Sequence, residues 1–537
     1  MKRTIKISVL SLVLLTSLVS ADTMVMKPVL DANGNETGSY NVNPDPNGEP
    51  WIVTPMTMTP ERQAQLDAIP EWTPPKGLAK SASLPRAVNH FKEPEFRPIF
   101  NQKGGSCSAA SGTGYGYTWE ANILTGAAGQ TNRCMYYYGF NFLNKGNADN
   151  GIWWYDAWEI MKYTGCVREA DWPSKLGSET GTEWATTYAA YHNANFDRCS
   201  TYYKITNPAT AANLPKLKQW IYDHGRGDPK GGVLEMNAGI DFGIQTIPSG
   251  SAEAGSKIAT VYDGPNTIHA MMFAGYNDDV YLDANNKGAL LLVNSWGTSF
   301  GDKGVLWIPY DKFATETEVY CLEVVKHIPR LEYKVSLQGY GKTGGSFTSG
   351  FATSTAATSP VTTQTYGKAF SGNSGTFTGE IGLDISKAWS TFSQNKSTGK
   401  FFLQSKGTGT ISALSLMIYD ETGRNLLKEI KCTQTNVTIG TTMTIVVENA
   451  VGVADPIFTL PPKILSIGKF ADGYSLFIPF SGVSEVSVKD LIGRTLTSFS
   501  SGGSAWYHLP ANVRSGVHFV MVRNGEKTFI EKLNAVQ

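Results

Sequence analysis

The 537-residue sequence carries little charge and no imbalance of charge. Asp, Glu, Lys and Arg make up 17% of it, below the roughly 25% of an average domain. Its 46 basic residues match its 46 acidic ones. A basic surface that would bind nucleic acid is therefore not expected, and neither is an acidic solvating tail. Hydrophobic residues (41%) are too frequent for a disordered chain, and at roughly 100–200 residues per domain the length predicts three or four domains.

Cysteine is also scarce, with six residues in the whole chain. That number is too small for a fold held together by disulfides. No two cysteines have the spacing of zinc ligands, and we expect neither a metal site nor a cofactor. Apart from Cys107, discussed below, five cysteines remain, so at least one is expected to be free. Cys166 and Cys199 flank the segment between two predicted helices and are the pair expected to form a disulfide.

The longest apolar run stands at the N-terminus. Three basic residues precede the apolar stretch Ile7–Val19, and Ala21 ends a small-residue sequence of the kind at which secretory signals are cleaved. The alternative is a membrane anchor, but the stretch is shorter than the ~20 residues that a membrane span needs. Residues 1–21 are therefore predicted to be a signal peptide. The mature chain is expected to be secreted or held at the cell surface, without a transmembrane segment.

Composition divides the first part of the mature chain in two. Residues 22–83 are polar and proline-rich, which indicates a linker or a pro-segment with one short helix at Pro60–Ala68. Residues 84–330 mix helical and strand patterns and contain most of the Trp and Tyr residues. Helices are predicted there at Asp156–Tyr163 and Pro215–His224, and strands at Met271–Tyr276, Val280–Leu282 and Ala289–Val293.

The remaining two parts have the character of β-proteins. Ser, Thr and Gly dominate residues 331–455, with short alternating runs typical of a β-sandwich with long loops. Residues 456–537 indicate a second small β-sandwich. Strands are predicted at Gly379–Ile385, Phe401–Gln404, Met443–Val447, Ser475–Ile478, Glu485–Val488 and Val517–Val522.

Cys107 is the candidate nucleophile. It follows a glycine-rich turn and begins a run of small residues, 108–111, that can become helical. Near the N-terminus of a helix, the partial positive charge is expected to lower the pKa of a thiol. Gly104 and Gly105 would let a substrate backbone approach closely. On this segment alone, a buried structural cysteine is an equal alternative.

His269 and Asn294 are the candidates that complete the site. His269 heads an apolar strand, where a core histidine is the commoner explanation. The side-chain carbonyl of Asn294 can accept the proton of imidazole Nδ1, which would leave Nε2 facing the sulfur. Trp296 is close enough in sequence to shield that bond from water. Together with Cys107, these residues predict nucleophilic catalysis.

These segments resemble the papain-like cysteine peptidases. The Asn-Ser-Trp-Gly element at 294–297, with Phe300, Gly301 and Gly304 after it, is the most specific part of the match. The segment around His269 is nearly as specific, and the match spans residues 84 to about 325. The resemblance implies an α+β fold: a two-lobed peptidase domain, with a helical lobe and a β-barrel-like lobe, ahead of the two small β-sandwich domains.

The resemblance also implies a role for each site residue, with proteins or peptides as substrates. Departures from the family pattern occur beside the nucleophile, where Ser108 replaces an aromatic residue and the candidate glutamine precedes the cysteine by five residues instead of six. The implied roles are nucleophile for Cys107, base and then acid for His269, orienting residue for Asn294, oxyanion donor for Gln102, and substrate contacts for Gly105, Gly151 and Trp296.

The C-terminal part resembles, more loosely, the sorting domains of type IX secretion in Gram-negative bacteria. The resemblance rests on the runs 486–494 and 516–520 and on their place at the end of the chain. It implies export across two membranes, while a spacer or adhesion unit that contacts a cell surface or carbohydrate is the alternative. For the chain as a whole, two other functions remain open: an inactive binding protein of the same fold, and a transglutaminase-like acyl transferase.

Overall fold

The structure is a computed structural model of the full chain, and it mixes α-helices with β-sheets, which confirms the α+β class. It describes residues 25–33, 35–43, 51–53, 58–74, 84–143, 151–172, 183–239, 242–262, 269–372, 375–450 and most of 466–535. The predicted signal peptide lies outside these residues. Within these ranges, no helix is long and apolar enough to cross a membrane.

Among the described residues before 84, the chain forms three strands and a helix. Helix α1 (Pro60–Asp67) confirms the predicted short helix and is capped by the Thr59 hydroxyl, which accepts a hydrogen bond from the Arg62 backbone N–H. Leu66, Ile69 and Trp72 are buried, so this segment is docked on the rest of the protein. The strands form one antiparallel sheet: β1 (Val25–Leu30), β2 (Glu36–Asn43) and β3 (Trp51–Val53).

The next part of the chain supplies most of the helices. The helix that begins at Cys107 continues through a π-helix (Ala110–Tyr117) into the helix Thr118–Thr125, so one helical stretch runs from residue 107 to residue 125. The two predicted helices of this region are confirmed, as α5 and α7 in the list that ends this paragraph. The helices are α2 (Cys107–Ala109), α3 (Thr118–Thr125), α4 (Tyr137–Leu143), α5 (Trp154–Thr164), α6 (Tyr188–Ala194) and α7 (Leu214–Asp223).

A nine-stranded sheet accompanies these helices. Its order is β5-β12-β6-β9-β10-β11-β8-β7, and β4 pairs with β9. Two predicted strands are confirmed as β9 and β10. The strands are β4 (Ala87–Asn89), β5 (Asp197–Thr206), β6 (Leu234–Ala238), β7 (Gln245–Thr246), β8 (Lys257–Ile258), β9 (His269–Asn277), β10 (Ala289–Val293), β11 (Val305–Pro309) and β12 (Glu318–Lys326).

The prediction of a strand at Val280–Leu282 is wrong. This segment lies in the loop between β9 and β10, where the backbone N–H of Val280 bonds the Asn277 carbonyl and that of Gly288 bonds the Val280 carbonyl. Val280 is fully buried. Its apolar side chain fills the core from a turn, and a short apolar run alone does not distinguish the two cases.

Both faces of the central sheet are covered. Leu290 and Leu292 of β10 pack with Trp220 of α7 on one face. Leu291 and Val293 face the other way, toward the helical stretch 107–125. This alternation is the ordinary consequence of the two-residue period of a strand. The helical stretch therefore lies directly against the sheet that carries His269.

The predicted β-sandwich of residues 331–455 is present as two antiparallel sheets whose apolar faces meet. One has the order β16-β13-β18-β19 with β20 added to β18, and the other has the order β15-β14-β17-β21. The elements are β13 (Leu331–Gly341), β14 (Ser346–Ala352), β15 (Thr362–Thr365), β16 (Thr376–Asp384), α8 (Trp389–Gln394), β17 (Gly399–Lys406), β18 (Thr410–Tyr419), β19 (Leu426–Lys431), β20 (Val437–Thr438) and β21 (Met443–Val447).

This sandwich shares a core with the helical part of the chain, residues 107–194, which contains helices α2 to α6. Phe370 contacts both Phe142 of α4 and Tyr191 of α6, with ring centroids 5.3 and 5.6 Å apart. At the same junction the buried Glu332 accepts hydrogen bonds from Tyr188 and from the Asn195 amide. The two parts thus bury apolar and polar groups against each other.

The last unit contains a three-stranded sheet, ordered β22-β23-β26, and a four-stranded sheet, ordered β25-β24-β27-β28. Its three predicted strands are confirmed as β23, β24 and β27. Buried apolar residues of both sheets, such as Leu476 and Val520, form its core. The strands are β22 (Ser466–Phe470), β23 (Gly473–Ile478), β24 (Ser484–Asp490), β25 (Thr495–Ser501), β26 (Ala505–His508), β27 (Gly516–Asn524) and β28 (Lys527–Ala535).

Candidate active site

Cys107 is the first residue of α2, at the end of a tight turn. Gly104 has a φ of +55°, a conformation that favours glycine, and its carbonyl accepts a hydrogen bond from the Ser106 backbone N–H at 2.9 Å. The carbonyl of Lys103 accepts two more bonds, from the hydroxyls of Ser106 and Tyr137, both at 2.7 Å. The turn is therefore fixed on both sides. Cys107 is partly exposed, whereas the other five cysteines are buried.

The π-helix after α2 is packed tightly on two sides. A Cβ added to Gly112 would lie 3.1 Å from Cβ of Trp154, and one added to Gly116 would lie 2.9 Å from Cε of Met272. Trp154 belongs to α5 and Met272 to β9, so the π-helix is wedged between the helical layer and the sheet. This packing fixes the position of Cys107 relative to β9.

His269 is the first residue of β9 and is buried. Its Nε2 lies 2.9 Å from Oδ1 of Asn294. That oxygen also accepts the backbone N–H of Ser295 at 2.7 Å, so it is an acceptor and imidazole Nε2 carries the proton. The predicted assignment of the ring nitrogens is therefore wrong: Nε2 meets the asparagine, and Nδ1 is the unprotonated nitrogen left for the thiol.

Trp296 shields the histidine. Its ring stacks on His269 with centroids 4.2 Å apart and planes at 17°. Phe300 in turn packs edge-on against Trp296 at 5.6 Å. The hydrogen bond to Asn294 and the stacked ring of Trp296 together fix the orientation of the imidazole.

Gln102 is buried and is held by the residue that follows Asn294. Its Oε1 accepts the hydroxyl of Ser295 at 2.6 Å, and its backbone N–H donates to the Ser295 carbonyl at 2.8 Å. Its Nε2 donates to the carbonyl of Gly104 at 3.0 Å. Because an amide nitrogen has two hydrogens, one of them remains for a substrate oxygen.

The structure also locates the two glycines that were predicted to contact the substrate. Gly105 lies in the turn beside Cys107 and is partly exposed. Gly151, with a φ of +61°, is partly exposed and precedes α5. The neighbouring Asn150 lies outside the described residues.

The pKa of Cys107 shifts in the direction opposite to the expectation. Burial raises the pKa of the Cys107 thiol, and hydrogen bonding to the backbone of Ala270 only partly opposes this. Burial lowers the pKa of His269 to about 4, against the opposing hydrogen bond of Asn294. Desolvation therefore favours the uncharged form of both groups, a neutral thiol and a neutral imidazole.

Three residues of the site were not singled out in the sequence analysis. Ser295 holds Gln102, as described above. The hydroxyl of Tyr115, in the π-helix, donates to the Asn294 carbonyl at 3.2 Å. This bond links the helical stretch 107–125 to the loop that begins at Asn294. Glu235 of β6 accepts a hydrogen bond from Ser111, one helical turn after Cys107, and burial raises its pKa well above the ordinary value. Only the Asn-Ser-Trp-Gly match could have drawn attention to Ser295.

No disulfide joins Cys166 and Cys199 in the structure, where both thiols are free. Cys199 lies on β5, where its thiol contacts the Thr201 carbonyl. Cys166 follows α5, and its thiol donates to the carbonyl of Met135, the residue after Cys134, at 3.8 Å. The prediction relied on sequence spacing, which does not reveal the partner that the fold supplies.

No protein-family model matches the chain, and no curated protein does. Solved structures show a remote likeness. Xylellain, a cysteine protease from Xylella fastidiosa, is 17% identical over 51% of this chain and 96% of its own, with a TM-score of 0.35. The bromelain protease from Ananas comosus is 14% identical over 45% of this chain and 99% of its own, with a TM-score of 0.31. Digestive procathepsin L2 from Tenebrio molitor is 17% identical over 50% of this chain and 81% of its own, with a TM-score of 0.32. Values this low decide nothing about activity, which has to be inferred from the site.

Proposed function

We propose that this chain is a cysteine endopeptidase that hydrolyses peptide bonds through a thioester intermediate. The observation that carries the proposal is the 2.9 Å hydrogen bond between His269 Nε2 and Asn294 Oδ1, beneath the stacked Trp296. It leaves Nδ1 of the same ring as a base on the strand that Cys107 adjoins. A neutral, fixed imidazole beside a thiol is the arrangement that nucleophilic acyl transfer requires.

In the first half of the reaction, Cys107 Sγ attacks the carbonyl carbon of the substrate and its proton passes to His269 Nδ1. The oxyanion is bound by the Cys107 backbone N–H and the remaining hydrogen of Gln102 Nε2. When the C–N bond breaks, the imidazolium returns its proton to the leaving amine. The acyl group is then held on the sulfur as a thioester.

In the second half, a water molecule takes the place of the amine. His269 Nδ1 accepts a proton from the water as its oxygen attacks the thioester carbon, and the same oxyanion donors act again. The C–S bond breaks, the acid leaves and the thiol is restored. Gly105 and Gly151 are proposed to face the substrate backbone, and the buried Trp296 to cover the hydrogen bond between His269 and Asn294.

The test compares the full-length protein with Cys107→Ala on a mixed library of fluorogenic peptides. Cleavage by the native chain that falls at least about 10³-fold in the variant supports the proposal. Cleavage that persists in Cys107→Ala would overturn it. Amine incorporation into glutamine without peptide cleavage would instead identify an acyl transferase, and stable peptide binding without turnover an inactive binding protein.

We also propose that the protein is exported, with residues 1–21 as the signal and residues 456–537 as a sorting unit. The support is the basic and apolar sequence of residues 2–21 and the separate core of the small β unit within residues 466–535. Contact of the C-terminal units with a cell surface or carbohydrate stays a prediction. Deleting residues 2–21 should keep the protein in the cytoplasm, and deleting 456–537 should stop it at an earlier compartment; unchanged fractionation would contradict each assignment.

A further inference from the structure

Cys134 and Cys166 meet in the core of the helical part. The Cys166 thiol donates to the carbonyl of Met135, the residue after Cys134, at 3.8 Å. Their segments are paired as well, by an antiparallel bridge between Cys134 and Arg168 and by a 2.9 Å hydrogen bond from the Met135 N–H to the Val167 carbonyl. Both thiols are buried. The fold therefore brings together two cysteines that are 32 positions apart in the sequence.

The backbone around Cys134 is fixed independently of its partner. Its N–H donates to the hydroxyl of Thr118 at 3.2 Å, and its carbonyl accepts Nη1 of Arg97 at 2.8 Å. On the other side, the Cys166 carbonyl accepts Nη1 of Arg168 at 3.2 Å. These hydrogen bonds hold the backbone of both cysteines in place, so the two side chains start from fixed positions.

The charges around the pair make the two thiols unequal. Nη1 of Arg168 lies 2.7 Å from Cys134 Sγ, while Nη2 of the same group pairs with the buried Asp197. Burial acts to raise the pKa of Cys134, but the neighbouring Cys166 thiol and the charge of Arg168 outweigh it and lower that pKa. Burial and the neighbouring Cys134 raise the pKa of Cys166. An attacking thiolate beside a protonated thiol is the pairing that disulfide exchange uses.

We propose that Cys134 and Cys166 form the structural disulfide of this protein when it folds in an oxidising compartment. The Cys134 thiolate attacks an external disulfide, forming a mixed disulfide and releasing one thiolate. Cys166 then loses its proton and attacks the Cys134 sulfur, which releases the second thiolate. The cysteine pair is oxidised by two electrons, and the external disulfide is reduced to two thiols. In the cell this rests on the proposed export, whereas the chemistry itself can be tested without it.

The experiment uses full-length Cys107→Ala, which removes the accessible thiol that would exchange with others. The denatured, reduced protein is refolded in a mixture of reduced and oxidised glutathione, free thiols are alkylated in denaturant, and trypsin is added without reductant. Cleavage after Arg133, Lys145, Lys162 and Arg168 separates the cysteines into peptides 134–145 and 163–168. These two peptides are expected to appear linked, while peptide 199–204, which contains Cys199, is alkylated.

Alkylation of both Cys134 and Cys166 in the refolded protein would overturn the proposal, and so would a link from Cys166 to Cys199. Cys199→Ser is the matched control and should leave the 134–166 link intact. Thermal unfolding gives a second readout: a non-thiol reductant should lower the Tm by about 5 °C in Cys199→Ser and leave the Tm of Cys134→Ser unchanged. Repeating the mapping on protein from the exporting host tests the export proposal separately, because a link that forms on refolding but is missing there would contradict only the export.

Discussion

Two buried histidines of this protein have opposite protonation. His269 is bound to the neutral amide of Asn294, and burial lowers its pKa to about 4. His224, at the end of α7, lies 3.2 Å from Glu120 and 2.9 Å from Asp228. Burial acts to lower the pKa of His224 too, but the charge of Glu120 and the hydrogen bonds of both carboxylates outweigh it and raise that pKa to about 9.

The comparison shows that the charge of the partner, and not burial, decides which histidine can act as a base. Both rings are buried against a tryptophan, Trp296 for His269 and Trp220 for His224. A carboxylate partner keeps an imidazole protonated at neutral pH, and an amide partner does not. An asparagine beside His269 therefore keeps the ring neutral, as the proposed role of proton acceptor for Cys107 requires.

The largest expected effect is the loss of that acceptor. His269→Ala should lower kcat/KM by about 10³-fold or more, because the thiol keeps its proton at the moment of attack. Peptide hydrolysis at neutral pH measures this. The matched control is His224→Asn, since asparagine tolerates the left-handed backbone of that position (φ +54°). Equal loss of kcat/KM in both variants would show that the effect is structural.

Asn294→Ala should have the next largest effect. It removes the acceptor of the His269 Nε2 proton, so the ring loses the fixed orientation that presents Nδ1 to the sulfur. We expect kcat/KM to fall about 10²-fold with little change in KM. A rise in KM at constant kcat would contradict the orienting role and indicate a substrate contact.

Ser295→Ala should act more weakly, through Gln102. It removes the 2.6 Å bond that fixes the Gln102 amide, a bond worth about 1 kcal/mol, which corresponds to about a fivefold fall in kcat. Gln102→Ala should cost more than Ser295→Ala, and the double variant should cost no more than Gln102→Ala alone. Additive losses in kcat would refute the proposed dependence.

The smallest effect concerns the other histidine and appears in stability. Because the pKa of His224 is raised, its ion pairs stabilise the fold fully below the unfolded value of about 6.5, and this stability is lost as the pH rises through about 9. Glu120→Gln should therefore lower the Tm by a few degrees at pH 6 and by less at pH 10. A Tm difference independent of pH would contradict the assignment, and kcat/KM should stay within about threefold.

The sequence predicted those parts of the site that depend on local pattern. The helix that begins at Cys107, the strand that begins at His269 and the position of Asn294 after β10 all follow from short segments. The orientation of the imidazole did not follow, because it depends on how β9 and the 294–297 loop face each other. Two other features did not follow either: the approach of Cys166 to Cys134, and the hydrogen bond between Glu235 and Ser111 of the helical stretch 107–125. Each brings together residues that are far apart in the sequence, and a local hydrophobic pattern does not predict such contacts.

The shared core of the helical part and the sandwich has a practical consequence. A recombinant fragment ending near residue 330 would expose Phe142 and Tyr191, which pack on Phe370 in the whole protein. It would also leave Tyr188 and Asn195 without the carboxylate of Glu332. Such a fragment should express as insoluble material even though it contains every candidate catalytic residue. The unit to clone, crystallise or engineer is therefore the part that carries the candidate site together with the sandwich of residues 331–447.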